Sequence, residues 1–264
     1  MKAAGRLQRL LWRARLKLRT SALARSIAER VRKLAPDTRP RHLRGEVGFW
    51  RRWLQSGGLG WPEDYAFRLD PRAPIQEHLA RIIESIPQSR VEILDVGSGP
   101  LTVIGKVHPT KRLSITATDV LGSEYDALLG KLDIEPPVRP IAAEAERLRD
   151  TLGDRSFDVV HAQNSLDHCA DPFAAINEMV AVTRPGGFIV LLHEENEGEK
   201  ERYHALHKWN FANEGGRFVI RGPGPGGPAR DVTTMLEGCA KVECSYLGDE
   251  LLVTIRKVDA AKSG

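Results

Sequence analysis

The chain is poor in sulfur and aromatics and contains no long apolar run. Only three of its 264 residues are cysteine, Cys169, Cys239 and Cys244. An odd number without CxxC spacing excludes a disulfide scaffold and a thiolate zinc site, and reads as a reduced, cytoplasmic protein. Aromatics make up 6% of the residues. No apolar stretch approaches the ~20 residues of a membrane span; the longest, Phe188–Leu192, has the length of a strand. Internal repeats and collagen or coiled-coil periodicity are absent. No Gly-Lys-Ser/Thr follows a glycine turn, which excludes a Walker loop. The one strand-to-helix glycine turn has Thr102 where a dinucleotide fingerprint needs its third glycine, which counts against NAD.

An excess of basic charge is missing from most of the chain. The net charge is +4, yet residues 1–35 hold eleven Lys/Arg against a single acid, Glu29, which leaves −6 for residues 36–264. An acidic body disfavours nucleic acid as a partner. The basic arm, residues 1–40, has neither Gly nor Pro over 6–34, and Trp12, Leu16, Leu23, Ile27, Val31 and Leu34 recur at helical spacing. Three readings remain open for it. It is a solvated helix packing one stripe on the body, an amphipathic helix lying on anionic lipid at the inner membrane surface, or a cleaved transit peptide.

Residues 41–90 form a second region. Phe49, Trp50, Trp53, Trp61, Tyr65 and Phe67 fall within nineteen residues. The cluster reads as a satellite core or as a lid in which Trp61 or Arg68 reaches a substrate. Pro74 to Ile86 predicts an amphipathic helix, with Ile75, Leu79, Ile82, Ile83 and Ile86 on one face.

From residue 91 apolar strands alternate with helical connections: Val91–Asp95, Leu113–Asp119, Val138–Ala142, Phe157–His161, a helix over 172–182, then Phe188–Leu192. Lys241–Tyr246 and Leu251–Lys257 flank Gly248-Asp249 as a hairpin. The expected fold is α/β: a Rossmann-like seven-stranded sheet, mostly parallel with a C-terminal antiparallel hairpin, plus an N-terminal helical extension. This body spans residues 91–260 with an insertion at 194–230, which reads as substrate-facing. Within the insertion a helix is expected over Glu199–Trp209. His204 and His207 sit three apart on it, but no carboxylate has matching spacing, so no metal site is expected.

Acids close the strands in order. Asp95 ends the first beside Gly97-Ser98-Gly99, Asp119 ends the second, and Glu144 follows the third. Each of the first two also reads as a cap for the following helix. Together with Ala117-Thr-Asp119, Ser156-Phe-Asp-Val-Val160, Asn164-Ser-Leu-Asp-His168 and Arg184-Pro-Gly-Gly187, this set resembles the class I S-adenosylmethionine-dependent methyltransferases over residues 88–195. The resemblance implies S-adenosyl-L-methionine as cofactor. It implies that Asp95 and the Gly97, Ser98 and Gly99 backbone hold the methionine end. It implies Asp119 on the ribose diol, Val120 against the adenine, Glu144 and Ala145 at the adenine edge, and Asn164 near the sulfonium. The implied activity is methyl transfer, to oxygen of a small molecule or of a glycan- or lipid-linked metabolite; an N-methyltransferase and a non-catalytic nucleotide-binding scaffold are the alternatives. Two histidines are candidate bases: His168, which reads equally as a packing residue, and His193, at the end of the fifth strand where open α/β sheets place their sites.

Overall fold

A computed structural model describes residues 41–258; the basic helix expected over 6–34 lies outside the described residues. Strands β1 (Arg90–Val96), β2 (Arg112–Asp119), β3 (Pro140–Ala142), β4 (Phe157–Gln163), β5 (Thr183–Glu194), β9 (Ala240–Leu247) and β10 (Glu250–Lys257) form one sheet in the order β3-β2-β1-β4-β5-β10-β9. The first five are parallel, and β10 and β9 run antiparallel to their neighbours. The hairpin turns at Gly248, where φ is +61° and the ladder closes with Glu250 opposite Leu247. The fold is Rossmann-like, as the strand pattern predicts.

The central strands are buried on both faces because side chains alternate along a strand. On β1, Val91 and Ile93 face one way and meet Leu79 and Ile83 of helix α3 (Glu77–Glu84). Leu94 and Val96 join the opposite cluster, with Ile176 and Met179 of helix α6 (Pro172–Val182). Burying one such side chain contributes roughly 1.5–3 kcal/mol. Helix α6 starts at Asp171-Pro172 for a local reason: Asp171 Oδ1 accepts from the N–H groups of Phe173 and Ala174, while Pro172 occupies a position that needs no donor.

Helix α3 is shorter than the predicted 74–86. Its approach is extended, with Ile75 N–H donating to Val107 O at 2.8 Å. Helices α1 (Arg41–Ser56) and α2 (Pro62–Leu69) carry the aromatic segment. Trp53 and Leu54 pack with Leu101, Leu128 and Leu129, and the rings of Phe49, Trp50, Trp53 and Tyr65 meet edge to face. The segment is a satellite core on this side of the sheet.

The insertion differs from its prediction. Helix α7 covers only Glu197–Lys200, and the chain then passes through left-handed residues at Arg202, Tyr203 and Ala205. No helix spans 199–209, so His204 and His207 share no helical face. A small antiparallel sheet follows, with β7 (Arg217–Arg221) between β6 (Asn210–Glu214) and β8 (Ala229–Asp231). Its Phe211, Phe218 and Ile220 bury into the main core. On β7, Phe218 and Ile220 stand two apart and face the same way, which is the period of a strand.

Candidate active site

The order β3-β2-β1-β4-β5 reverses direction of winding between β1 and β4, and a crevice opens there at the carboxyl ends of the strands. It holds a cavity of about 730 Å³. One wall comes from the β1 and β2 ends, another from the loop after β4, and Leu43, Glu46, Trp50 and Arg68 close it from the helical side.

The glycine turn is shaped by its neighbours. Gly97 and Gly99 have φ of +70° and +63°. A Cβ on Gly97 would lie 2.4 Å from Ser165 Cβ, and one on Gly99 would lie 2.9 Å from the Trp50 ring. Glycine is therefore required both by conformation and by the approach of the β4 loop and helix α1. The turn's donors are spent within the protein. Gly97 and Ser98 N–H donate to Thr118 O, and Gly99 N–H donates to Asp119 Oδ2 at 3.0 Å.

Asp119 also accepts from Leu121 N–H at 2.8 Å through Oδ1. Helix α4 (Gly122–Lys131) starts just beyond with Leu121 at its N-cap and no side chain capping it, so this carboxylate holds the approach to the helix rather than capping it, while it lines the cavity. Burial pushes its pKa up to about 6; the two backbone donors oppose that shift, and the charges of Glu46 and Asp95 add to it. Val120, Glu144 and Ala145 line the same end, beside Leu121 and Ala143.

Asp95, expected to hold the methionine end, is not an open acceptor. It lies at the cavity floor but is 1% exposed. Its Oδ2 accepts from Thr102 Oγ1 at 2.6 Å, and its Oδ1 lies 2.9 Å from His161 Nδ1. With both oxygens engaged, Asp95 ties the glycine turn to β4. Asn164, at φ +44°, likewise spends its amide on the protein: Oδ1 accepts from Glu194 N–H and Nδ2 donates to Glu250. It lines the cavity beside Ser165, whose Oγ donates to Val96 O.

Of the two candidate bases, only His168 faces the cavity. Its Nε2 lies 3.4 Å from Asp167 Oδ2, and burial lowers its pKa although the Asp167 charge opposes that. His193 is corrected. It is 2% exposed, absent from the cavity wall, and covered by the Phe211 ring at 4.8 Å. Burial takes its pKa down to about 4, and neither ring nitrogen has a hydrogen-bond partner. The insertion sheet covers the end of β5, which the strand pattern alone does not reveal.

Trp61 and Arg68 separate as well. Trp61 is 62% exposed and outside the cavity wall, which corrects its expected place at a substrate. Arg68 is in the wall, stacked over Trp50 and Trp53 at 5.7 and 5.5 Å. Its Nε donates to Asp64 and its Nη1 to Leu101 O.

Sequence reasoning missed two groups. One is the buried His161, 66 residues from its partner Asp95. The other is Asp167, whose Oδ2 lies 2.9 Å from Nδ1 of His207, 40 residues away. That contact raises the His207 pKa. Burial works to raise the Asp167 pKa, but the His207 hydrogen bond and the nearby imidazoles hold it below the usual carboxylate range. The signal available in the sequence was the Asp167-His168 pair itself, next to a strand end.

The residues fit S-adenosyl-L-methionine. A carboxylate suited to a diol, a small apolar cleft around Ala143 and Val120, and a volume within the usual ligand range (roughly 300–1,000 Å³) occur together.

A family profile described as "Methyltransferase domain" matches residues 94–191. A malonyl-[acyl-carrier protein] O-methyltransferase of Marinomonas sp. (strain MWYL1) is 26% identical over 121 residues, covering 42% of this chain and 42% of that protein. The match thus spans less than half of that curated relative. Among solved structures, the CurJ carbon methyltransferase shares 17% identity, covers 69% of this chain and 52% of its own, and gives a TM-score of 0.50. The N-methyltransferase NodS from Bradyrhizobium japonicum WM9, in complex with S-adenosyl-L-homocysteine, shares 16% identity over 63% of this chain and 78% of its own, with a TM-score of 0.40.

Proposed function

We propose that this chain, which belongs to the class I S-adenosylmethionine-dependent methyltransferases, methylates an oxygen of a small-molecule or glycan- or lipid-linked acceptor. The observation that carries this reading is the polarity of the cavity. Asp119 lines it from the end of β2, and His168, with Asp167 buried behind it, lines it from the β4 loop. The cofactor supplies an activated methyl group on a sulfonium. Asp119 accepts from the ribose hydroxyls, Val120 and Ala145 flank the adenine, and Glu144 meets its amino edge. Asp95 and Asn164 act as positioning residues, fixing the turn and the β4 end against which the methionine portion lies. Trp50, Arg68 and Leu206 wall the acceptor side and exclude water, and alignment is the main contribution to rate. Oxygen is favoured over nitrogen because a hydroxyl must lose a proton, and the β4 loop brings proton-accepting groups to the cavity.

The test is full-length protein with methyl-labelled S-adenosylmethionine against a panel of hydroxylated, carboxylated and amine acceptors. Label in oxygen-linked products supports the reading. Label confined to amines moves the activity to nitrogen, and cofactor binding without transfer to any acceptor favours the scaffold alternative.

Cofactor affinity should depend on pH through Asp119. Its pKa is raised, so between its unfolded value and about 6 the folded protein holds an extra proton, and an acidic carboxyl accepts poorly from two hydroxyls. Affinity for S-adenosylhomocysteine should therefore fall about tenfold between pH 7 and pH 5, and Asp119→Asn should flatten that slope. An equal slope in the variant would refute the assignment. Among the described residues no helix is long and apolar enough to cross a membrane. We place the enzyme in the cytoplasm, with residues 6–34 contacting anionic lipid. Failure of anionic vesicles to retain the full chain at low salt would remove that contact.

A further inference from the structure

Asp167, His168 and His207 offer three donor atoms that all lie within 4.8 Å of one another. The two histidines come from different loops, His168 from the short turn after β4 and His207 from the insertion after β5. Donors bound to one small cation at about 2.0–2.2 Å stand roughly 3–3.5 Å apart. The separations here are of that order: Asp167 Oδ2 is 2.9 Å from His207 Nδ1 and 3.4 Å from His168 Nε2. A second observation concerns the same carboxylate. Asp167 is 2% exposed, and its Oδ1 is buried with no hydrogen-bond partner. A buried, unpaired carboxylate oxygen costs free energy that a hydrogen bond or a cation would recover. A fourth donor, a second carboxylate, is adjacent, with Glu197 Oε1 3.4 Å from His207 Nδ1.

We propose that Asp167, His168 and His207 form a binding site for a first-row divalent transition-metal ion at the acceptor end of the cavity. Two imidazoles and one carboxylate are the donor set that such ions prefer over magnesium or calcium, which favour all-oxygen sites. His168 carries the site into the cavity wall, and Leu206 and Lys208, on either side of His207, line the same wall. A coordinated acceptor oxygen is held in place and loses its proton to water more readily, because a bound cation lowers the pKa of a ligated hydroxyl. This role deepens the oxygen-methylation reading and rests on it; the binding site itself rests only on the cluster. With the ion bound, His168 serves as a ligand and the cation takes over the proton-releasing role.

The test uses full-length protein stripped with a chelator and titrated with Co²⁺ alone, followed by its visible absorption, with S-adenosylhomocysteine binding measured on the same samples. One equivalent of Co²⁺ should produce ligand-field bands that Zn²⁺ abolishes. His207→Ala and the near-isosteric Asp167→Asn should each weaken Co²⁺ binding at least tenfold, while His204→Ala, in an exposed neighbour outside the site, should leave it unchanged. Thermal melts and S-adenosylhomocysteine affinity identify a variant that has merely unfolded; Asp167→Asn then decides if His207→Ala fails to fold. Absence of the bands, or equal affinity in wild type and both variants, overturns the site. Sulfur-ligand binding without Co²⁺ binding removes this inference and leaves the methyltransferase reading intact. Co²⁺ binding without sulfur-ligand binding does the reverse.

Discussion

Replacing Asp119 with alanine is expected to weaken S-adenosylhomocysteine binding by about 2–4 kcal/mol, roughly 30- to 700-fold, in a calorimetric titration. The carboxylate lines the cavity at the end of β2, where a ribose diol would offer it two hydrogens, and a hydrogen bond to a charged acceptor is worth about 1.5–3 kcal/mol. The residue has a second task. Through Oδ2 and Oδ1 it already holds the N–H groups of Gly99 and Leu121, so alanine also frees two backbone donors and loosens the turn against which the ligand lies. The two contributions separate in part with Asp119→Asn, which keeps an amide oxygen for one of the two backbone donors, sets its NH2 against the other and loses the charge. The asparagine variant should lose less stability than the alanine variant and still bind weakly. Wild-type affinity in the alanine variant would show that the ribose sits elsewhere.

Asp95→Ala should act on stability first, lowering the unfolding free energy by about 3–5 kcal/mol in urea denaturation. The mechanism is local and unusually exposed to test, because one carboxylate satisfies two buried partners. Its removal leaves His161 Nδ1 without that partner and the Thr102 hydroxyl proton without an acceptor, although Thr102 Oγ1 still accepts from Ile104 N–H, in a region closed to water. Each buried polar group left unpaired costs about 1–3 kcal/mol. Typical domains have about 5–15 kcal/mol in total, so the loss is a large fraction. The double variant Asp95→Ala, His161→Phe removes one orphan and should recover part of the deficit. A loss below about 1 kcal/mol for the single variant would mean that the pair does not hold the turn.

These two acids show where sequence reading succeeds and where it stops. Both were visible as the terminal residues of apolar strands, and both stand at the crevice. Their division of labour was not visible. Asp119 ends partly buried on β2, lining the crevice, whereas Asp95 sits one strand deeper with β4 alongside, so its oxygens meet a side chain 66 positions away. The glycines between them follow the same logic. A turn was legible, but the reason each position excludes a side chain lies in Ser165 and Trp50, one after and one before the turn in the chain.

Histidine placement was the least legible. His193 ends a strand on the functional side of the sheet, which made it a candidate, and yet the Phe211 ring from the insertion covers it. His207 was set aside because its own segment supplies no carboxylate at helical spacing. That segment is not a helix, and the carboxylate arrives from Asp167 on the β4 loop. Periodicity tests only partners within the same element.

By itself, the sequence determined the order of the seven main-sheet strands along the chain, the acids and glycines at the strand ends, the hairpin that completes the sheet, and the separation of a basic arm from an acidic body. Those features are local: they follow from the two- and 3.6-residue periods and from the backbone preferences of Gly, Pro and Asp. Tertiary structure decided which of the acids face the cavity and which are spent in the core, which histidine is accessible, and that Asp167, His168 and His207 meet. The physical reason is that burial and pairing depend on what the other strands and loops deliver to the same few ångströms. Residues 40 to 66 apart in the chain become neighbours only when the sheet closes around them.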